Sequence, residues 1–367
     1  MKLLFQNLLF QSPLVTLFSL AIILVSLHYG NAVNLPNNET VPAFIAFGDS
    51  IVDSGNNNYI INTVFKCNFP PYGKDFGGGN QPTGRFSNGL VPSDIIASKF
   101  GVKKLLPAYL DPNLQLQDLL TGVSFASGGA GYDPLTSKSA SVISLSDQLN
   151  MFKEYKNKIK EAVGEMRMEM IISKSVYIIC IGSNDIANTY AQTPYRRVKY
   201  DIRSYTDLLA SYASNFLQEL YGLGARRIGV IGMPNIGCVP SQRTIGGGIE
   251  RGCSDFENQA ARLFNSKLVS KMDAFENKFP EAKLVYLDIY TSLSQLVQNP
   301  AKYGFEVADK GCCGTGNIEV SILCNHYSSN ICSNPSSYIF WDSYHPTQEA
   351  YNLLCAMVFD DKIKDFF

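Results

Sequence analysis

Runs of like charge are missing from this chain. Only 17% of its 367 residues are charged, and the formal net charge is −1. The most basic stretch, residues 195–203, is interrupted by Asp201, so no segment has the density of Lys and Arg that follows a phosphate backbone. These values argue against a nucleic-acid-binding protein. Hydrophobic residues make up 46% of the chain, which is sufficient for a large folded core.

Common cofactor and hydrolase motifs are absent as well. No serine has the G-x-S-x-G context of the α/β-hydrolases, and the chain has no P-loop. The glycines of residues 127–132 do not follow the G-x-G-x-x-G dinucleotide pattern, so neither ATP nor NAD is predicted. Residues 49–58 lack the spacing of an EF-hand, and the cysteines of 312–332 lack the paired C-x-x-C of zinc sites. The sequence therefore predicts no cofactor and no metal.

The one long apolar run is N-terminal, and it has the features of a secretory signal peptide. A positive charge precedes an apolar run over residues 14–27, and the small residues that follow predict cleavage after Ala32. A membrane anchor is the alternative, but the run is short for a span and no stop-transfer pattern follows. We predict a signal peptide over 1–32 and one secreted domain, with no transmembrane segment, over 33–367. Asn38, in the single N-x-S/T sequon, is a candidate glycosylation site.

Nine cysteines follow the predicted cleavage site, and an oxidising compartment favours their pairing. Cys238 and Cys253 enclose a glycine-rich loop that a crosslink would restrain. Four more are close enough in sequence to form two bridges: Cys312, Cys313, Cys324 and Cys332. Cys180 and Cys355 lie in apolar segments, which favours buried free thiols, and Cys67 has no evident partner.

Histidine is scarce, and this narrows the search for a general base. The chain has three, of which His28 lies in the predicted signal peptide and His326 within the cysteine-rich segment. His345 follows Asp342 by three residues, and Pro346 suits the first position of a helix, which would place His345 at or next to the helix cap. The helix dipole disfavours imidazolium there and leaves the ring able to accept a proton from a nucleophile. Asp342 would then fix the tautomer; a capping histidine beside an unrelated surface aspartate is the alternative.

Short apolar runs, often β-branched, alternate with longer segments of helical periodicity. We predict five strands: Ala43–Phe47, Gly122–Ala126, Ser175–Ile181, Arg227–Ile231 and Leu284–Asp288. Three long segments are predicted to be helices: Val142–Val163, Tyr205–Gly222 and Phe256–Phe275. This alternation predicts an α/β fold with a mostly parallel sheet that is covered on both faces.

Small and polar residues follow three of the predicted strands, at the sheet edge where such folds bind ligands. The first strand is followed by "GDS", the second by "SGGAG" and the third by "GSND". Ser50, in the first of these, is a candidate nucleophile. The N–H of Ser50, the N–H of Gly128 or Gly129 and the side-chain amide of Asn184 could together bind the oxyanion of an acyl-transfer reaction.

Seven motifs occur in an order typical of one family, and the resemblance they carry covers residues from about 43 to 360. In sequence they are "FGDSIVDSGNNN", "TGRFSNG", "SFASGGAGYDPLT", "IGSNDI", "GARRIGVIGMPNIGCVPSQRT", "KGCCGTG" and "FWDSYHPT". Together they resemble the plant GDSL esterase/lipase family of the SGNH hydrolases, most closely its extracellular-lipase subgroup of anther and pollen coats. The resemblance implies a flavodoxin-like three-layer αβα sandwich with a mostly parallel five-stranded sheet.

The resemblance also implies roles for individual residues. Ser50 would be the nucleophile, His345 the general base and Asp342 the residue that orients the base. The oxyanion would be bound by the Ser50 N–H, by Asn184 and by a glycine N–H, Gly129 in preference to Gly128.

Two positions depart from the family pattern. Ile51 stands in place of the leucine that gives the family its name, as in many plant members. Ser124 stands where many relatives have asparagine, which predicts weaker hydrogen bonding in support of the following turn.

We therefore predict a secreted serine ester hydrolase that cleaves acyl esters or lipids through an acyl-Ser50 intermediate. One alternative is a polysaccharide deacetylase or an acyltransferase of the same fold. Another is a non-catalytic coat or binding protein, against which the complete set of site residues argues. Segments 68–89, predicted to be an ordered loop, and 132–140 are expected to select the ester, and no feature indicates an oligomeric state.

Overall fold

Four apolar runs form the central sheet. In the computed structural model, which describes residues 35–36, 39–327 and 330–367, the strands are β1 (Phe44–Gly48), β2 (Val176–Cys180), β3 (Arg227–Ile231) and β4 (Lys283–Leu287). Neighbouring strands pair in parallel in the order β1-β2-β3-β4. The register places Gly48, Cys180 and Ile231 side by side. The carboxyl ends of these strands therefore meet at one edge of the sheet.

The segment 122–126 does not form the fifth strand that the sequence predicts, so the predicted strand count is wrong. It runs beside β1, and Ser124 forms a single parallel bridge with Ala46. The Gly48 N–H, which would continue this ladder, donates instead to the side-chain oxygen of Gln148 at 2.9 Å. With this incomplete strand counted, the strand order is the flavodoxin-like 2-1-3-4-5, and the predicted α/β class with a parallel sheet is confirmed.

Helices and a small second sheet complete the described part of the chain. The α-helices are α1 (Pro92–Lys99), α2 (Leu116–Thr121), α3 (Pro134–Ala140), α4 (Leu145–Val163), α5 (Glu165–Lys174), α6 (Pro194–Arg197), α7 (Ile202–Gly222), α8 (Pro240–Gly246), α9 (Asp255–Lys278), α10 (Ile289–Gln298) and α11 (Gln348–Phe359). A π-helix spans Asp185–Tyr190, and short 3₁₀ turns include Asn56–Tyr59, Ser321–Leu323 and Ile363–Phe366. The second sheet pairs β5 (Val307–Gly311) with β6 (Tyr338–Phe340) in parallel.

Helices cover both faces of the central sheet and make it a three-layer sandwich. On one face α4, α7 and α9 pack against side chains such as Phe47 and Ile179. On the other face α1 and α11 pack against Phe44 and Ile178. Because successive side chains of a strand point to opposite faces, each short strand contributes to both cores.

Capping residues explain where the predicted helices differ from the observed ones. The helix α4 begins three residues later than predicted because the Ser144 side chain caps it by accepting the Asp147 N–H. The helix α7 begins three residues earlier because the Asp201 side chain accepts the Ser204 N–H. The three predicted long helices are confirmed.

The predicted disulfide pattern is confirmed. Cys238 pairs with Cys253, and the cluster forms two bridges, Cys312–Cys332 and Cys313–Cys324. The remaining cysteines are free and buried: Cys67, Cys180 and Cys355. The two bridges of the cluster hold together the segment that leads from β5 to β6.

Segment 68–89 is an ordered loop, as predicted, whereas 132–140 is not a loop. Arg85 anchors the first segment, because its buried guanidinium forms two hydrogen bonds of 2.7 Å to the carboxylate of Asp94. Most of the second segment is the helix α3, whose N-terminus is capped by the Asp133 side chain.

The predicted signal peptide and the sequon residue Asn38 lie outside the described residues. Within residues 35–36, 39–327 and 330–367, no helix is both long and apolar enough to span a bilayer.

Candidate active site

Ser50 lies just beyond the end of β1, where the backbone passes very close to β2. Gly48 has a φ of +143°, and a Cβ atom there would lie 2.0 Å from the Cys180 carbonyl oxygen, so only glycine fits. The Ser50 side chain is buried with 7% of its residue surface exposed, and its Oγ lies 2.8 Å from Nε2 of His345. The strand end thus directs a serine hydroxyl at an imidazole.

Asp342 fixes the orientation of that imidazole. It follows β6, is fully buried, and both of its carboxylate oxygens lie within 2.9 Å of His345 Nδ1. The same carboxylate accepts the backbone N–H of Tyr344 at 2.8 Å and that of His345 at 2.7 Å. A proton on Nδ1 therefore donates to the carboxylate, which leaves the lone pair of Nε2 facing Ser50.

The predicted helix cap at His345 is wrong. The helix α11 begins at Gln348, and its cap is Thr347, whose side chain accepts the Ala350 N–H. Pro346 instead forms an isolated antiparallel bridge with Phe340, so the backbone is still extended immediately after His345. The contacts with Asp342, and not the end of a helix, orient the imidazole.

Tyr72 is a fourth member of this hydrogen-bonded chain, and no sequence pattern indicates it. Its hydroxyl donates to Oδ2 of Asp342 at 2.7 Å and accepts the backbone N–H of Ser321 at 2.8 Å. Burial, together with the charge of Asp342, raises the pKa of the Tyr72 hydroxyl well above its usual range. The hydroxyl therefore remains protonated and able to donate to the carboxylate.

Two of the predicted oxyanion donors are free to act, and one is not. The Gly128 N–H donates to the Asp53 carboxylate at 2.9 Å. Among the described residues, the N–H groups of Ser50 and Gly129 have no hydrogen-bond partner. Gly129 has a φ of +90°, which a side chain would disfavour. The structure thus favours Gly129 over Gly128 as a donor.

Asn184 lies near the same edge, directly before the π-helix. One hydrogen of its side-chain amide is donated to the Ala130 carbonyl at 2.9 Å. The Asn184 side-chain oxygen accepts a hydrogen bond of 3.0 Å from the side-chain amide of Asn188, which distinguishes this oxygen from the amide nitrogen. The second amide hydrogen is left available for a substrate oxygen.

Asparagines of the "GNNN" stretch connect the serine turn to the glycine turn. The Asn56 side chain donates to the carbonyls of Ser124 and Ala126 at 2.9 and 2.8 Å. The Asn57 side chain donates to the Gly128 carbonyl at 2.8 Å. Because both asparagines are buried, these bonds replace lost contacts with water and fix the position of the turn that presents the free glycine N–H.

Ser124 retains hydrogen bonds at the position where many relatives have asparagine. Its hydroxyl donates to the Val52 carbonyl at 2.8 Å and accepts the Ala126 N–H at 3.2 Å. The serine therefore still ties the glycine turn to the segment after Ser50.

Burial raises the pKa of three carboxyl groups around the sheet edge. Loss of hydration raises the pKa of Asp49, next to Ser50, to about 7, although the Ile51 N–H and the charge of His345 oppose this. Loss of hydration also raises the pKa of Asp53 to about 6 and that of Asp185 to about 7. Each of these carboxyls therefore changes its charge within the range from mildly acidic to neutral pH.

The sequence profile of GDSL-like lipases and acylhydrolases matches residues 44–357. This chain belongs to that family. It is similar to the GDSL esterase/lipase EXL3 of Arabidopsis thaliana, with 54% identity over 335 residues that cover 91% of each chain. It is also similar to EXL2 of the same plant, with 49% identity over 341 residues that cover 89% of this chain and 90% of the relative. A solved phospholipase A1 from Streptomyces albidoflavus shares 15% identity at a TM-score of 0.40, covering 87% of this chain and 100% of that one.

Membership of the GDSL family assigns the reaction class. The chain is a carboxylic ester hydrolase of the GDSL esterase/lipase type, and its substrates are acyl esters. In this GDSL esterase, hydrogen bonds join Ser50, His345 and Asp342, and the Gly128 N–H is donated to Asp53. Sequence reasoning missed Tyr72, for which there was no signal. It also missed the roles of Asp53 and Asn57, for which the polar stretch ending in "GNNN" was the only signal.

Proposed function

We propose that the protein is a secreted serine esterase that cleaves acyl esters through an acyl-Ser50 intermediate. The observation that carries the proposal is the distance of 2.8 Å between Ser50 Oγ and His345 Nε2, in a chain that continues to Asp342. A serine, a base and a group that orients the base are the three parts that activate a hydroxyl for attack on an ester.

The first half of the reaction forms the acyl-enzyme. Ser50 Oγ attacks the carbonyl carbon of the ester while its proton passes to His345 Nε2, and Asp342 stabilises the imidazolium that results. The carbonyl oxygen, now an oxyanion, accepts hydrogen bonds from the N–H groups of Ser50 and Gly129 and from the Asn184 amide. The bond from carbon to the alcohol oxygen then breaks, and His345 returns the proton to the leaving alcohol.

The second half releases the acid. A water molecule takes the place of the alcohol, gives its proton to His345 and attacks the acyl carbon. The oxyanion forms again on the same donors, and Ser50 leaves with the proton held by His345. The cycle needs no metal and no cofactor.

Replacement of Ser50 tests this proposal. In Ser50→Ala the hydrolysis of p-nitrophenyl butanoate is expected to fall by about 10⁴-fold or more, and labelling by a fluorophosphonate probe should disappear. Ser54→Ala is the matched control, because its hydroxyl lies in the same motif but contacts the Ser93 hydroxyl at 3.4 Å. Activity in Ser50→Ala equal to that of the control would refute the acyl-Ser50 intermediate. A folded wild type that hydrolyses no ester and that the probe does not label would favour the non-catalytic alternative.

Secretion is the second part of the proposal. Three disulfides among the described residues support it, because such bonds persist in oxidising compartments. Expression of the full chain in plant cells should deliver to the medium a protein that begins at Val33 and loses one glycan in Asn38→Gln. Retention of the full chain inside the cells would contradict the predicted division into a signal peptide, 1–32, and one domain, 33–367.

A further inference from the structure

An apolar cavity of about 70 Å³ lies between the sheet and the helices α10 and α11. Its inner wall includes Cys180 from the end of β2 and Leu354, Cys355 and Val358 from α11. None of the residues that line it carries a charge. A cavity of this composition favours an alkyl group over a sugar, a carboxylate or a phosphate.

The outer wall of the cavity is made by chain neighbours of the proposed catalytic groups. Ile51 follows Ser50, and Ser183 precedes Asn184. Tyr344 and Pro346 flank His345 on either side. The cavity is therefore bounded at the sheet edge by the same turns that carry the nucleophile, the base and one oxyanion donor.

We infer that this cavity holds the acyl chain of the ester and limits it to a short chain. The inference rests on the proposed function, since it takes Ser50 as the atom to which the acyl group is attached. In this arrangement, an acyl carbon bound to Ser50 would hold its oxygen at the oxyanion donors and extend its alkyl chain past Ile51 into the apolar cavity. Burial of that chain against Cys355 and Val358 supplies the binding energy.

The volume of the cavity sets the length of the chain. An apolar cavity of about 150 Å³ in another protein accommodates benzene, which has six carbons. By proportion, the cavity described here has room for about three carbons beyond the carbonyl, which corresponds to a butanoyl group. A longer chain would have to displace side chains of α11, which pack tightly against the sheet.

A series of p-nitrophenyl esters gives the expected profile. Since burial of one CH₂ group contributes about 0.8 kcal/mol, each methylene from acetyl to butanoyl should raise kcat/KM about fourfold. From hexanoyl onward kcat/KM should fall below the butanoyl value. A profile that rises steadily to dodecanoyl would overturn the inference.

Filling the cavity from α11 is the decisive variant. In Cys355→Leu the larger side chain should fill the cavity. The ratio of kcat/KM for the butanoyl ester to that for the acetyl ester should then fall from about 16 to about 1, while hydrolysis of the acetyl ester continues. Ala356→Leu is the matched control, because Ala356 is the next residue on the same helix, is only half-buried and does not line the cavity. This control should keep the wild-type profile.

Enlarging the cavity gives an independent test that does not depend on the folding of Cys355→Leu. In Val358→Ala the chain length of highest kcat/KM should increase by one or two carbons. Because each profile is a ratio within one variant, a general loss of active enzyme leaves it unchanged. Profiles of both variants that match the wild type would refute the inference, and so would a change in preference among alcohols with none among acyl chains.

These outcomes are separate from a failure of the proposed function. If Ser50→Ala retains the activity, the acyl-Ser50 intermediate is wrong whatever the chain-length profile shows. If Ser50→Ala is inactive and the α11 variants keep the wild-type profile, only the assignment of the cavity is wrong.

Discussion

The nucleophile side of the site, residues 48–58 and 124–129, and its base side, residues 311–345, are held by different interactions. On the nucleophile side, buried polar side chains bind backbone groups directly, and Asp53 alone accepts three N–H groups, those of Gly55, Asn56 and Gly128. On the base side, two disulfides close loops of 20 and 11 residues around the segment that leads to Asp342. Besides His345, the Tyr72 side chain, from outside this segment, donates to the Asp342 carboxylate.

The difference determines what each side is sensitive to. Buried hydrogen bonds contribute modestly when formed but cost about 1–3 kcal/mol for each partner left unsatisfied, so the nucleophile side should respond to single isosteric changes. A disulfide acts mainly by restricting the unfolded chain, and each bridge typically contributes about 2–4 kcal/mol to the stability of the folded protein. The two bridges therefore stabilise the base side without fixing the positions of individual atoms. The positions of the Asp342 and His345 side chains therefore depend on a few specific hydrogen bonds.

The largest effect on activity is expected on the base side, from Asp342→Asn. The new side-chain amide has one acceptor oxygen, and its nitrogen is a donor. The imidazole can therefore adopt the tautomer with its proton on Nε2, which has no lone pair to accept the Ser50 proton. We expect kcat for p-nitrophenyl butanoate to fall about 10⁴-fold with little change in KM. The exposed Asp361→Asn serves as the control, and a kcat within tenfold of that control would show that Asp342 does not orient the base.

On the nucleophile side, Asp53→Asn is expected to disturb the glycine turn and lower activity. The amide of the new side chain cannot accept all three N–H groups, so the Gly128 backbone shifts and carries the Gly129 N–H away from the oxyanion. We expect kcat to fall about 10²-fold at nearly constant KM, because this donor acts in the transition state. The exposed Asp273→Asn is the control. A rise in KM with constant kcat would indicate instead that Asp53 shapes substrate binding.

A smaller effect is expected from Tyr72→Phe, which removes one hydroxyl and keeps the ring. Loss of a hydrogen bond to a charged group should lower kcat/KM about tenfold. The carboxylate that has lost a donor holds a protonated imidazole more strongly, so the acid limb of the pH–rate profile should move to higher pH. The exposed Tyr327→Phe, in the disulfide-bonded segment that contains Ser321, should change neither quantity. A purely structural role would lower the melting temperature without moving the acid limb.

The smallest effect on activity, and a clear one on stability, is expected from the buried carboxyls of the nucleophile side. Burial raises the pKa of Asp49 to about 7 and that of Asp53 to about 6, so the folded protein binds more protons than the unfolded chain between about pH 4 and 7. Stability should therefore fall as pH rises through this range, by at most about 4 kcal/mol from Asp49. Calorimetry at pH 5 and pH 8 measures this, and Asp49→Asn should flatten the profile. A melting temperature that rises from pH 5 to pH 8 would contradict it.

The three residues of the proposed triad could be singled out because they depend on local features that the sequence displays. Ser50 follows an apolar run, and parallel strands bring their carboxyl ends together, so a nucleophile at one end implies partners at the others. The scarcity of histidine then left His345, with Asp342 three residues before it. The exact helix start could not be read from Pro346, because the chain stays extended to pair with Phe340 before Thr347 begins α11.

The remaining features depend on contacts between residues far apart in sequence. Tyr72 lies 270 residues from Asp342, and no local pattern predicts where its hydroxyl points. The choice of Gly129 over Gly128 depends on Asp53, 75 residues earlier. The missing fifth strand likewise depends on Gln148, which takes the hydrogen bond that would have extended the ladder.

The proposed nucleophile and base come from opposite ends of the described chain, since Ser50 and His345 are 295 residues apart. Ser50 follows the first strand of the central sheet, and His345 precedes the last α-helix in the described residues. A chain still emerging from the ribosome therefore carries its serine long before its base. A proteolytic cut that releases the last helix and the histidine loop would remove the proposed base, and activity is thus expected only after synthesis has passed His345.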